Sequence, residues 1–279
     1  MVAFLLAACS TTTRKEVPTL APLPTLMFGL SAEAALVTTE IPLSEQLTSG
    51  TSVTPDPLLT SQLVLETMYE GDIFDRSADT ITTTAPYGGA PYKVIVNSIT
   101  PIDARRLDRV LVVTAGAQGE CHICRVGVDA AIFVKVNGQW QMESVAKHLT
   151  EMGSFGHLSP GYEIAIGPNL RAMVVQGTSS GQGYSAHTIA LIGDVYGQPG
   201  VLLRMVDAEQ FDGFWNGGPC SVDPRIPGCG WRFSSRLTLV SGSTQRDYFD
   251  LIVDREGIDR DGTEIDIHQR LIMTENGYR

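Results

Sequence analysis

The stretch DAAIFVKVNGQWQMESVAKH, residues 129–148, does most to limit what this chain can fold into. Two runs with β-forming residues flank Asn137-Gly138. That dipeptide accepts the positive φ that both central positions of a type I′ turn require, and the twist of such a turn matches that of paired antiparallel strands. A hairpin is expected here. The same signature recurs on both sides. YKVIVNSITPI (92–102) alternates, and RRLDRVLVVTAGA (105–117) reads as a strand running into a small-residue turn. Residues 161–206 read as several strands joined by Gly- and Pro-marked turns. WRFSSRLTLVSGSTQRDYFDLIVDREG (231–257) reads as a hairpin around Ser241-Gly242, and RLIMTENGYR (270–279) as a final strand. Strands about every 10 residues, separated by turn signals, predict an all-β fold, mainly an antiparallel sandwich or barrel-like sheet. No repeat is regular enough for a propeller.

One or two short N-terminal helices are expected before the strands. SAEAAL (31–36) suits a helical turn. In PDPLLTSQLVLETMYEGD (55–72), Leu58, Leu59, Val64, Leu65 and Met68 fall near helical spacing. Pro57 suits the first turn and Gly71 the end. Residues 9–54 are rich in Thr, Ser and Pro, with little periodic apolar pattern, and read as a tether. Residues 55–279 then form a single domain, long enough to bury a core of its own.

The first residues, MVAFLLAAC, place an apolar run and Leu6-Ala7-Ala8 before Cys9. This resembles the lipobox of bacterial lipoproteins. The resemblance implies that residues 1–8 are the remnant of a signal peptide, that cleavage precedes Cys9, and that Cys9 is lipidated. Two acyl chains hold a protein to a membrane where one gives only marginal binding. A signal peptide carries a basic n-region. Here no Lys or Arg precedes Arg14, so the start is read as a late start codon or a lost leading segment. Ser10 follows the cysteine where enteric bacteria use Asp to mark inner-membrane retention, which favours the outer membrane, facing the periplasm. The formal net charge of -11 argues against nucleic acid as a partner, because phosphates would be repelled.

Of the five cysteines, Cys9 is assigned to the lipid, leaving Cys121, Cys124, Cys220 and Cys229. An even number in an exported chain suggests disulfides, and local pairs, Cys121–Cys124 and Cys220–Cys229, are the expected connectivity. Cys121-His122-Ile123-Cys124 also has the C-x-x-C spacing of redox and zinc sites. The redox reading needs a helix N-terminus to lower a thiol pKa, and strand-like sequence surrounds the pair instead. A zinc reading needs two more ligands, for which His148 and His157, or the Cys220/Cys229 pair, are the weak candidates. These two histidines flank LTEMGSFG, read as a loop between strands, where Glu143 and Glu151 could join a polar cluster. No metal or other cofactor is assigned.

GTSSGQGYSAHT (177–188) is Gly-rich but fails both phosphate-loop templates, because Ala186 stands where one needs Gly and Gln182 where the other needs Lys. It reads as a hairpin loop on which Tyr184 and His187 can face a ligand. GIDRDGTEID (257–266) lacks two main EF-hand ligands, since Gly257 and His268 occupy their positions, and reads as an exposed acidic turn. In FDGFWNGGP (211–219), Phe211, Phe214 and Trp215 lie among glycines and are either a stacking surface for sugars or a partner, or a plug at the sheet's end.

The later two-thirds are similar to a β-rich domain of bacterial envelope lipoproteins of uncharacterised function. The likeness rests on CHIC before a hairpin with Gly138 and Trp140, then GSFG and GQGY. It implies no activity. The sequence therefore reads as a lipid-anchored envelope protein serving as a binding or structural module, with an envelope protein or glycan as partner. The alternative is an envelope hydrolase acting on cell-wall sugars or peptides, possibly zinc-dependent.

Overall fold

A computed structural model describes residues 59–83, 91–119, 124–181, 184–211, 230–241, 247–259 and 261–279. These residues are mostly strand and form the expected antiparallel all-β fold with one short helix. The first sheet is a meander in chain order: β1 (Ile73–Asp75), β2 (Thr80–Thr83), β3 (Tyr92–Asp103), β4 (Arg106–Ala117), β5 (Val126–Val136) and β6 (Gln139–Met152). The second is another: β7 (Tyr162–Ala165), β8 (Arg171–Gly181), β9 (Tyr184–Val195), β10 (Gln198–Phe211), β11 (Arg232–Val240), β12 (Asp250–Ile258) and β13 (Glu264–Leu271). Asn137 and Gly138 have φ of 52° and 79°, the signs a type I′ turn needs, and they join β5 to β6 as the sequence predicts.

The two meanders pack face to face. Leu111, Val113 and Ile132 of β4 and β5 meet Met173, Val175 and Ile192 of β8 and β9 in one buried cluster. The other face of β4 and β5, with Val110, Val112, Ala131 and Phe133, is covered by the helix. In the second sheet, Val174, Ile189 and Leu191 join Leu237, Leu239, Leu251 and Val253 in a third cluster, so the sheet coils around its own inner face. Register shifts at Val201/Leu203 and Val206/Ala208 bend β10 between its two halves, as bulges do. Strands buried on both faces do not alternate, which is why β4, β5, β8 and β9 read as continuous apolar runs.

Three local expectations are corrected. The helix, α1 (Ser61–Met68), starts after Pro57, because the Thr60 hydroxyl accepts from the Leu63 amide at 3.2 Å and caps it. It ends before Gly71, at Tyr69, whose side chain turns into the first sheet. The C-terminal segment is not one strand. After β13 it folds into a small hairpin, β14 (Met273–Thr274) and β15 (Gly277–Tyr278), whose turn is held by the Asn276 amide donating to Thr274 Oγ1.

Candidate functional site

A cavity of about 550 Å³ lies beside the first sheet, where β3, the end of β4 and the segment 153–161 meet. Its size falls in the range of small-molecule sites. Ile95, Ala115, Val126 and Leu158 supply apolar wall, while Lys93 and His157 bring cationic or titratable groups. Ile95 is 45% exposed. Lys93 is exposed, and its charge helps to lower the pKa of the Asp75 carboxyl of β1.

The segment 153–161 is clamped onto both sheets. The Ser154 amide donates to Thr178 O at 3.1 Å and the Ser159 amide to Gln176 O at 3.0 Å. Asn97 reaches across from β3, its Oδ1 accepting from the Gly161 amide at 3.0 Å and its Nδ2 donating to Ser159 O at 3.3 Å. Gly156 has φ of 73° and donates its amide to Cys124 O at 2.9 Å. A Cβ there would lie 2.2 Å from Gly119 O, so glycine is needed both for the conformation and for the approach. GSFG thus docks against the connection between β4 and β5, and its contacts set His157 and Leu158 on the cavity wall.

Cys124 is disulfide-bonded and sits two residues before β5, not at the start of a helix. The redox reading therefore lacks its helix dipole at this residue. Cys9, Cys121, Cys220 and Cys229 lie outside the described residues, and with them the expected connectivity. His148 is not on a loop edge, because β6 continues to Met152. It occupies a bulge with φ of 56°, and its Nε2 lies 3.5 Å from Glu151 Oε1. Glu143 turns to Arg109 instead, 2.7 Å away. The expected polar cluster is thus divided, and among the described residues no three His, Cys, Asp or Glu side chains converge as metal ligands.

Tyr184 and His187 are three residues apart on β9, so they point to opposite faces. His187 Nδ1 lies 2.7 Å from Asp207 Oδ1. Tyr184 pairs across the sheet with Phe211, the last residue of β10. Both rings meet Trp231: Phe211 stacks on it at 4.5 Å between centroids, and Tyr184 is tilted at 6.4 Å. The Trp231 indole donates to the buried Glu209 carboxylate at 2.9 Å. Phe211 therefore belongs to an aromatic cluster at the end of the second sheet, while Phe214 and Trp215 lie outside the described residues. Trp231 was not singled out in sequence, although an aromatic opening a strand was a visible signal.

A buried polar network was also missed. Asp129, 5% exposed, accepts from the Tyr69 hydroxyl at 2.6 Å and from the His148 amide at 2.6 Å. Tyr69 Oη is also 2.9 Å from Thr114 Oγ1, and Lys147 Nζ lies 3.5 Å from Asp129 Oδ2 and 3.1 Å from the Tyr69 ring centroid. Burial pulls the Lys147 ammonium below its ordinary pKa, with Asp129 opposing the shift. The register of β5 and β6 shifts at Asp129, so its carboxylate satisfies the bulge amide left without a ladder partner. An acid inside the apolar run VGVDAAIF was the legible clue.

Residues 177–181, GTSSG, match the G-x-S-x-G spacing of a hydrolase nucleophile elbow. Ser179 lies within β8, paired with Ala186, rather than on a strand-to-helix turn, so the required geometry is absent. The acidic turn is closed by its own side chain: Asp259 Oδ1 accepts from the amides of Asp261 and Thr263 at 2.9 and 2.8 Å. Among the described residues no helix is long and apolar enough to cross a membrane. The chain matches no protein-family model, no curated protein and no solved structure.

Proposed function

We propose that the chain is a lipid-anchored binding module of the bacterial envelope. Cys9 carries the anchor, residues 9–54 span away from the membrane, and the β domain takes a small amphiphile in the cavity beside residues 153–161. On this reading the disulfides are Cys121–Cys124 and Cys220–Cys229. The observation that carries it is the cavity: apolar on Ile95, Ala115, Val126 and Leu158, with the exposed Lys93 ammonium on its wall. Such a lining suits an apolar body with a carboxylate or phosphate head.

The probe is 11-(dansylamino)undecanoic acid, whose fluorescence rises on entering an apolar site. Saturable binding is expected, lost in Ile95→Asp and weakened in Lys93→Glu, with both variants unfolding at the parent midpoint. No binding, or equal binding by Ile95→Asp, would remove the cavity from the proposal. The anchor is tested separately by incorporation of labelled palmitate in a bacterial host. Label present in the parent and lost in Cys9→Ser is expected, and an unlabelled parent would sink the anchor.

A further inference from the structure

The two large sheets have four edge strands, and three of them are blunted. β1 and β7 have three and four residues. β6 is long, but its pairing with β5 shifts register twice and His148 takes a positive φ. β13 is different. Its eight residues, EIDIHQRL, pair with β12 in unbroken register and contain no Pro, Gly or Lys. It ends the sheet among the described residues, with Ile267 46% exposed. A long regular edge offers open backbone groups to another strand, and the charged side chains on it restrict which strand can pair there.

The charges on β13 say which strand fits. Glu264, Asp266, His268 and Arg270 share one face, acidic in the first half and basic in the second. Across the ladder, Asp266 stands opposite Glu256, and neither Glu264 nor Asp266 makes an ion pair among the described residues. His268 and Arg270 lean on Asp254 and Asp250. A strand polarised in this way is complementary to itself when reversed.

We propose that β13 is a homodimer interface at which two copies of the chain pair their β13 strands antiparallel about a two-fold axis through Ile267. In this register Glu264 of each copy faces Arg270 of the other, and Asp266 faces His268. Ile265 faces Gln269, and the two Ile267 side chains meet on the opposite face. The arrangement is isologous and closes, so it ends at a dimer. It also joins the two seven-stranded sheets edge to edge. The local complementarity offsets the general repulsion between two copies of net charge -11. No other reversed register brings both acids onto the basic residues.

The test uses the full chain carrying Cys9→Ser, followed by sedimentation equilibrium over a wide concentration range. A monomer–dimer equilibrium is expected. Ile267→Lys puts two ammonium groups on the axis, and Glu264→Lys sets Lys against Arg270; each weakens the dimer by about fivefold or more. Both positions are exposed, so circular dichroism, and unfolding midpoints measured at concentrations low enough for the parent to be monomeric, should stay at parent values. The register is tested by oxidation. Ile267→Cys should form a covalent dimer, because directly opposed Cβ atoms lie about 4.5–5.5 Å apart. Ile265→Cys should not, because its own copy lies across the axis. A chain that stays monomeric throughout, a dimer indifferent to Ile267→Lys, or cross-linking through residue 265 in place of 267 would overturn the proposal.

Discussion

Replacing Gly156 with Ala separates two costs that glycine usually hides together. Gly156 and Gly138 have nearly the same backbone, with φ of 73° and 79°. An added Cβ at Gly138 meets nothing within 4 Å, whereas at Gly156 it lies 2.2 Å from Gly119 O and 3.3 Å from Ala117 Cβ. Gly138→Ala therefore reports only the conformational penalty, about 1 kcal/mol after the unfolded chain's smaller entropy is allowed for. Gly156→Ala carries that penalty and a clash with a backbone oxygen. The contact must widen from 2.2 Å to about 3.4 Å, which pulls the segment off the β4–β5 connection. The Gly156 amide then loses its 2.9 Å bond to Cys124 O. Strain of about 1–3 kcal/mol and a hydrogen bond of about 1 kcal/mol bring the expected loss to about 3–5 kcal/mol. Equilibrium urea unfolding at constant m measures both variants. The dansyl probe should also bind Gly156→Ala more weakly, since Gly156 sets Leu158 on the cavity wall, and should bind Gly138→Ala as it binds the parent. If the two variants lost equal stability to within about 0.5 kcal/mol, the docking of GSFG would carry no energy and the argument would fail.

Two further predictions concern polar groups. Asp129→Asn should cost about 2–4 kcal/mol in urea unfolding, because the amide cannot accept from both the Tyr69 hydroxyl and the His148 amide as the carboxylate does; a loss below about 1 kcal/mol would make the network incidental. Acid should destabilise the fold through Asp254 and Asp103. The His268 ring, and then Arg236, hold the Asp254 carboxyl below its ordinary range, and the Arg105 side chain does the same for Asp103. A depressed folded pKa gives stability that is whole above the unfolded value, about 4, and lost as pH falls through the folded one. Melting temperature should fall below about pH 4, and Asp254→Asn should make that limb shallower; an unchanged slope would refute the assignment.

The hairpin at Asn137-Gly138 was legible because its chemistry is local: two residues supply both positive φ angles that the turn needs. The strand runs were legible for the same kind of reason, since period and turn signals are written within about ten residues. Even there a single side chain moved a boundary. Thr60 starts the helix three residues after Pro57, because a hydroxyl that accepts an amide outweighs a favourable φ.

What lay beyond the sequence is everything that depends on which faces meet. Asp129 was visible as an acid in an apolar run, but its partner Tyr69 is 60 residues away on α1's flank, and a bulge turns the amide of His148, 19 residues away, toward it. Tyr184 and His187 look like neighbours in sequence and diverge on opposite sides of β9, while Tyr184 of β9, Phe211 of β10 and Trp231, just before β11, converge. The cavity is likewise made by the approach of GSFG to Gly119, a contact that no local propensity encodes. The sequence by itself determined the β class, the turns and a terminus that resembles a lipobox, since each follows from backbone preference or a short motif. Only the tertiary structure decided the site, because sheet coiling, bulges and loop docking are settled by the burial of distant apolar side chains against one another.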